Sequence, residues 1–100
     1  MEQLRIYTLT DKSTAEPYFR EHWTKRLESL PKFGVQVKGV WIGQRLESEN
    51  QVIALVSFPD NTNIDETTER YMKSAEFADD MVGFDKSKIT HVETKVMKSA

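Results

Sequence analysis

Residues 3–9 (QLRIYTL) alternate with period two. Leu4 and Ile6 fall on one face and Arg5, Tyr7 and Leu9 on the other, which predicts a strand. Asp11-Lys12-Ser13 reads as a turn. Ser13 and Glu16 then have the spacing of a capping box at a helix start, with Pro17 close behind, where a missing N–H is tolerated. Phe19, Trp23, Leu27 and Leu30 form one apolar helical stripe, and Pro31 and Gly34 close that helix. Residues 35–46 (VQVKGVWIGQRL) are rich in β-branched and aromatic side chains and predict a long strand. Gly39 and Gly43 interrupt it and indicate a bend, a bulge or a close approach of another group. Glu47-Ser48-Glu49-Asn50 is a polar hairpin loop. Residues 51–58 (QVIALVSF) are almost continuously apolar, as a strand covered on both faces is. After the Pro59-Asp60-Asn61 turn, a second helix is predicted from about Ile64 to Val82, with Asn63 and Glu66 as its cap. Its inner stripe is Ile64, Thr68, Tyr71, Ala75, Ala78 and Val82, and Gly83 ends it. Residues 89–97 (ITHVETKVM) predict the last strand.

The order β-α-β-β-α-β is that of the α+β, ferredoxin-like class: a four-stranded antiparallel sheet with both helices on one face. One hundred residues make a single domain, 1–100. The face without helices must be solvated or covered, and the doubly apolar third strand says covered. A homodimer, sheet against sheet, is the simplest cover.

Charge and composition narrow the partners. Fourteen basic and sixteen acidic residues are scattered without a basic stripe, which argues against nucleic-acid binding. Cysteine is absent, so thiolate nucleophiles, disulfides and Cys-ligated metals are excluded. No apolar run reaches the ~20 residues of a membrane span, and no apolar segment follows the first residues as in a signal peptide. A cytoplasmic protein without membrane partner is expected.

Leu4-Arg5-Ile6-Tyr7-Thr8-Leu9, the aromatic-striped helix, Gly39-Val40-Trp41 and the segment from Asn50-Gln51-Val52 through Leu55 to Phe58 and Asp60 together resemble NIPSNAP-family domains. Ser74-Ala75-Glu76-Phe77 stands where that family has a small residue, Glu and an aromatic. The first turn, Thr10-Asp11-Lys12-Ser13, lacks the family's Pro-Gly, and Phe77 stands where Trp is common. The resemblance implies a dimeric α+β barrel, a superfamily that also holds cofactor-free monooxygenases, haem-degrading enzymes and muconolactone-isomerase-like proteins. It implies architecture more than activity.

Candidate chemistry is sparse. Arg5 and Tyr7 share a strand face; if that face meets the helices they border a ligand cavity, Tyr7 as hydrogen-bond donor and Arg5 as anion anchor. Otherwise they are a packed ring and a snorkelling edge residue. Trp23 and Trp41 would stack on a flat organic ligand, or fill core. His22 flanks the helical stripe and would serve as a general base or haem ligand, or simply sit at the boundary. His91 and Glu93 share a face of the last strand and would relay protons, or form an ordinary surface pair. Two histidines 69 positions apart match no metal-ligand spacing, and no phosphate loop or nucleophile elbow is present. Asp65, Glu66 and Glu69 read as a solvated face near a helix start. No metal or cofactor is expected.

Three functional readings follow. One is a homodimeric domain binding a small apolar or aromatic molecule between sheet and helices, with Arg5, Tyr7, Trp41 and Trp23 as ligand contacts. The second is a cofactor-independent monooxygenase or isomerase, with Tyr7, His22 or Arg5 stabilising an enolate or phenolate. The third is a structural or partner-binding dimer whose apolar positions are all core.

Overall fold

Strict alternation in two strands decides which side of the sheet is core. In β1 (Glu2–Leu9), Gln3, Arg5, Tyr7 and Leu9 are buried, and in β3 (Gln51–Ser57) Val52, Ala54 and Val56 are buried. The computed structural model describes residues 1–100 and pairs these strands antiparallel, Tyr7 opposite Val52 and Arg5 opposite Ala54. With β2 (Gln36–Ile42) and β4 (Ile89–Met97) they form one antiparallel sheet in the order β2-β3-β1-β4. The sheet carries helices on one face, so the β-α-β-β-α-β, ferredoxin-like α+β fold is present as expected.

The first helical run has four parts: α1 (Lys12–Pro17), a π-helical turn (Tyr18–His22), α2 (Trp23–Ser29) and a 3₁₀ turn (Leu30–Phe33). Its cap is Asp11 rather than the expected Ser13. The Asp11 carboxylate accepts from the Thr14 amide at 2.8 Å, and the Ser13 hydroxyl donates to the same oxygen at 2.7 Å. A carboxylate accepts several donors at once, so it outcompetes a hydroxyl one turn position later. Pro17 has no N–H to give to the helix, and the run widens directly after it. The Trp23 amide reaches back five residues to the Tyr18 carbonyl. The buried face is Ala15, Tyr18, His22, Arg26 and Ser29, flanked by Trp23 and Leu30. Leu27, expected inside, is 47% exposed.

The second helical run is broken where one helix was expected. α3 (Ile64–Met72) ends at Lys73, and Ser74 starts α4 (Ala75–Asp80), its hydroxyl accepting from the Phe77 amide at 3.1 Å. The break resets the helical phase. Thr67, Tyr71, Phe77, Asp80 and Met81 therefore point inward, while Ala75, Ala78 and Val82 are exposed.

β2 is shorter than expected. A Cβ at Gly43 would lie 1.8 Å from the Ser48 carbonyl oxygen, so the chain leaves the strand there and folds against the hairpin loop. At Gly39 the register shifts past Val37, and the Trp41 indole lies across the glycine, 2.4 Å from where a Cβ would stand. That indole belongs to the helix-free face. Trp41 pairs with Ile53, Leu4 with Leu55 and Ile6 with Ile53 on that side. Leu4, Ile6, Ile53 and Leu55 are only half-buried there, and Trp41 is 51% exposed. No helix is long and apolar enough to cross a membrane.

Candidate functional site: a cation-floored cavity between sheet and helices

β1 directs Arg5 and Tyr7 toward the helices, because they alternate with the outward Leu4 and Ile6. The π-helical turn directs Tyr18 to meet them. Eight residues on, Arg26 of α2 follows, and the helix break brings Tyr71, Phe77 and Met81 in from the other side. Between these groups lies a cavity of about 280 Å³, lined also by Thr68, Met72, Lys86, Ile89 and Val92. It opens along β4, whose Val92 remains 46% exposed because neither α3 nor α4 covers that edge. A larger groove of about 700 Å³ lies at the chain termini, lined by Met1, Glu2, Asp60, Asn61 and the last residues of the chain. Eight of the twelve residues around the inner cavity are hydrophobic, against three of eight in the terminal groove, and only the inner one has buried polar groups converging on it.

Arg26 is the unusual member. It is 5% exposed, and its guanidinium carbon lies 4.7 Å from the Trp23 ring centre, 5.3 Å from Tyr18, 5.6 Å from Phe77, 5.9 Å from Tyr7 and 6.0 Å from Tyr71. Its Nη2 donates to the Met81 thioether at 3.2 Å, a weak acceptor, and its Nε has no partner. The four ion pairs of the chain all lie elsewhere. Burial opposes the charge, the neighbouring Tyr18, Tyr7 and Tyr71 more than offset it, and the guanidinium pKa is raised from its ordinary value. Tyr18, edge-on to Tyr7 at 5.4 Å, has an unpartnered hydroxyl. Burial pushes its phenol well above the ordinary range, and Arg26 offsets only part of that.

Behind the cavity, Asp80 ties the two helical runs together. Its carboxylate accepts from the Tyr71 hydroxyl at 2.6 Å and the Ser29 hydroxyl at 2.9 Å. Burial first, then the bond to Asp80, raises the Tyr71 phenol far above its usual value. His22 is buried against Phe84, with ring centres 5.1 Å apart, and its Nδ1 lies 2.8 Å from the Asp80 backbone oxygen. A carbonyl only accepts, so Nδ1 carries the proton.

The expected site residues thus separate. Arg5 and Tyr7 line the cavity. Arg5 is anchored by donation to Gln3 Oε1 at 2.8 Å and to Thr68 Oγ1 at 3.5 Å. Trp23 is 1% exposed and forms the wall behind Arg26. His22 lies outside the cavity lining. Trp41 lies on the opposite face of the sheet, since its partner Ile53 alternates with the inward Val52 and Ala54. His91 and Glu93 share the helix-free face, opposite Thr8 and Ile6, and both are exposed. Asp65, Glu66 and Glu69 are exposed along α3, as expected. Arg26 and Tyr18 escaped the sequence reading, and Tyr71 was placed on an inner helical stripe without a role in the site. The signal was there: Tyr18, His22 and Arg26 recur every four residues, but polar residues at helical spacing read as a solvated face.

No family model matches the sequence, and no curated protein matches it. Its fold matches solved structures. A NIPSNAP domain protein from Burkholderia xenovorans superposes with TM-score 0.76 at 14% identity, over 99% of this chain and 93% of that one. A NIPSNAP family protein of unknown function from Agrobacterium tumefaciens gives 0.77 at 17%, over 99% and 86%. An antibiotic biosynthesis monooxygenase gives 0.60 at 6%, over 100% and 99%. The chain thus has the fold of the NIPSNAP domain proteins, a fold that also carries a monooxygenase.

Proposed function

We propose that this chain is a small-molecule-binding domain whose ligand sits in the cavity between sheet and helices. The observation that carries this reading is the convergence of Arg5, Tyr7, Tyr18 and Arg26 on an otherwise apolar cavity of about 280 Å³. Sites for small ligands pair apolar walls with a few placed polar groups, and this volume, near the lower end of the ~300–1,000 Å³ range, suits one or two rings. A folded protein gains stability from a ligand that binds only its native state. Naphthol added to the protein is expected to raise the melting temperature and to shift the amide resonances of Tyr7, Tyr71 and Phe77. Shifts confined to the terminal groove, or none, would sink the reading.

A second reading is favoured by the monooxygenase among the fold's neighbours and by the phenols of Tyr18 and Tyr71, held protonated in an apolar site. In it the domain is a cofactor-independent oxygenase or isomerase, with Arg5 and Tyr7 stabilising an enolate or phenolate. Dioxygen consumption with an electron-rich phenol and no added cofactor tests it; binding without consumption leaves the first reading alone.

In either reading the protein is a homodimer through the helix-free sheet face, supported by the row of Leu4, Ile6, Ile53, Leu55 and Trp41. Sedimentation equilibrium is expected to return twice the chain mass, and a single chain mass at micromolar concentration would remove the dimer.

A further inference from the structure

We propose that the ligand of this cavity is a small organic carboxylate whose anionic group pairs with the Arg26 guanidinium while an aromatic or alicyclic body fills the apolar mouth. The proposal rests on the reading of the cavity as a ligand site. It adds the chemical class.

Three observations carry it. First, Arg26 is a buried charge whose Nε lacks a partner and whose Nη2 has only a thioether. Aromatic faces attract the cation but accept no strong in-plane hydrogen bond, so the guanidinium fork keeps an unused donor at Nε and only a weak acceptor at Nη2. A carboxylate matches that fork with two parallel N–H···O bonds. Second, the cavity lining is of one sign. Arg5, Arg26 and Lys86 face it, and no acidic side chain does. The one buried acid, Asp80, has both carboxylate oxygens occupied by Tyr71 and Ser29. Low-dielectric walls sharpen such a one-sided field toward anions. Third, the unpartnered hydroxyl of Tyr18, protonated because burial raises its phenol, is a second buried donor beside Arg26. One guanidinium and one phenol suit a monoanion. An inorganic phosphate could not use the apolar walls.

The neutral-ligand alternative is built into the test. Naphthoate and its neutral isostere naphthamide are titrated calorimetrically into the wild-type protein and into Arg26→Met. Wild type is expected to bind the carboxylate at least about tenfold more tightly than the amide, a gap of about 1.4 kcal/mol. Arg26→Met is expected to lose that preference while keeping naphthamide binding. The Arg26 Nε–H resonance of wild type is expected to shift with naphthoate and not with naphthamide, which reads the same contact even if the variant fails to fold. Equal affinity for both compounds would overturn the anion inference and leave the cavity standing. Tight naphthoate binding that survives Arg26→Met, or moves no Arg26 resonance, would overturn the assignment of Arg26. Binding of neither compound would overturn the cavity reading itself.

Discussion

At the scale of single residues, the site stands out through groups that stability alone does not explain. Moving a guanidinium out of water costs several kcal/mol even after relaxation. A desolvated cation–π contact returns about 2 kcal/mol, and five rings sharing one cation do not add independently. Arg26 without a carboxylate is therefore a net cost to the fold. Arg26→Met is expected to stabilise the ligand-free protein by about 1 kcal/mol, which thermal unfolding reads as a rise of several degrees for a chain of this size. A large loss of stability would make Arg26 a structural residue. Tyr71 works in the opposite sense. Tyr71→Phe removes one of two donors to buried Asp80 and is expected to cost about 1–3 kcal/mol in urea unfolding. Tyr18 and Tyr71 also predict alkaline behaviour. Unfolded phenols titrate near 10, and burial raises both in the folded chain. The stability this represents is complete below pH 10 and falls as pH rises above it. Phenolate absorbance from these two tyrosines is expected to appear together with loss of helical circular dichroism rather than before it.

At the scale of elements, small departures from regular helix place those side chains. The π-helical turn after Pro17 lets Tyr18 and Arg26 face the sheet together. The break at Lys73–Ser74 turns Phe77 and Asp80 inward and Ala78 outward. Ser74 is its hinge, accepting from the Phe77 amide and donating to the Tyr71 carbonyl at 2.6 Å. Ser74→Ala is expected to cost about 1 kcal/mol in urea unfolding and to speed amide exchange in α4 more than in α3. Equal exchange in both would mean that the break is held by packing alone. Sequence reading recovered the existence and type of these elements because capping residues and period-two runs are local signals. It placed the inner faces of both helical runs imperfectly, since one inserted residue or one broken turn shifts every later position, and only packing against the sheet reveals it.

For the whole molecule, one sheet face is closed by helices and the other is left apolar. Leu4, Ile6, Ile53 and Leu55 form its centre, with Trp41 lying over Gly39 beside them and His91, Glu93 and Lys95 along the β4 edge. An apolar centre with a polar rim is how subunit interfaces are arranged. If the proposed homodimer forms through this face, Trp41→Asp is expected to convert it to a monomer of unchanged secondary structure, with naphthol binding kept because Trp41 lies across the sheet from the cavity. Loss of binding with an intact dimer would mean that the two faces are coupled.

What the amino-acid order determined by itself was the plan of the molecule. Alternation in residues 3–9, the apolar run 51–58, helical spacing before and after that run and the turn residues specified four strands, two helical runs and their order. The pairing of Arg5 with Tyr7 on one strand face was equally legible, because alternation is a local geometric rule. Which face the helices cover was decided only in three dimensions. So was the meeting of Arg5 and Tyr7 with Tyr18, Arg26 and Tyr71, residues 11 to 66 positions away in the chain. A buried arginine has no local signature: along the chain it is a polar residue on a helix, and only the aromatic rings packed round it make it a site.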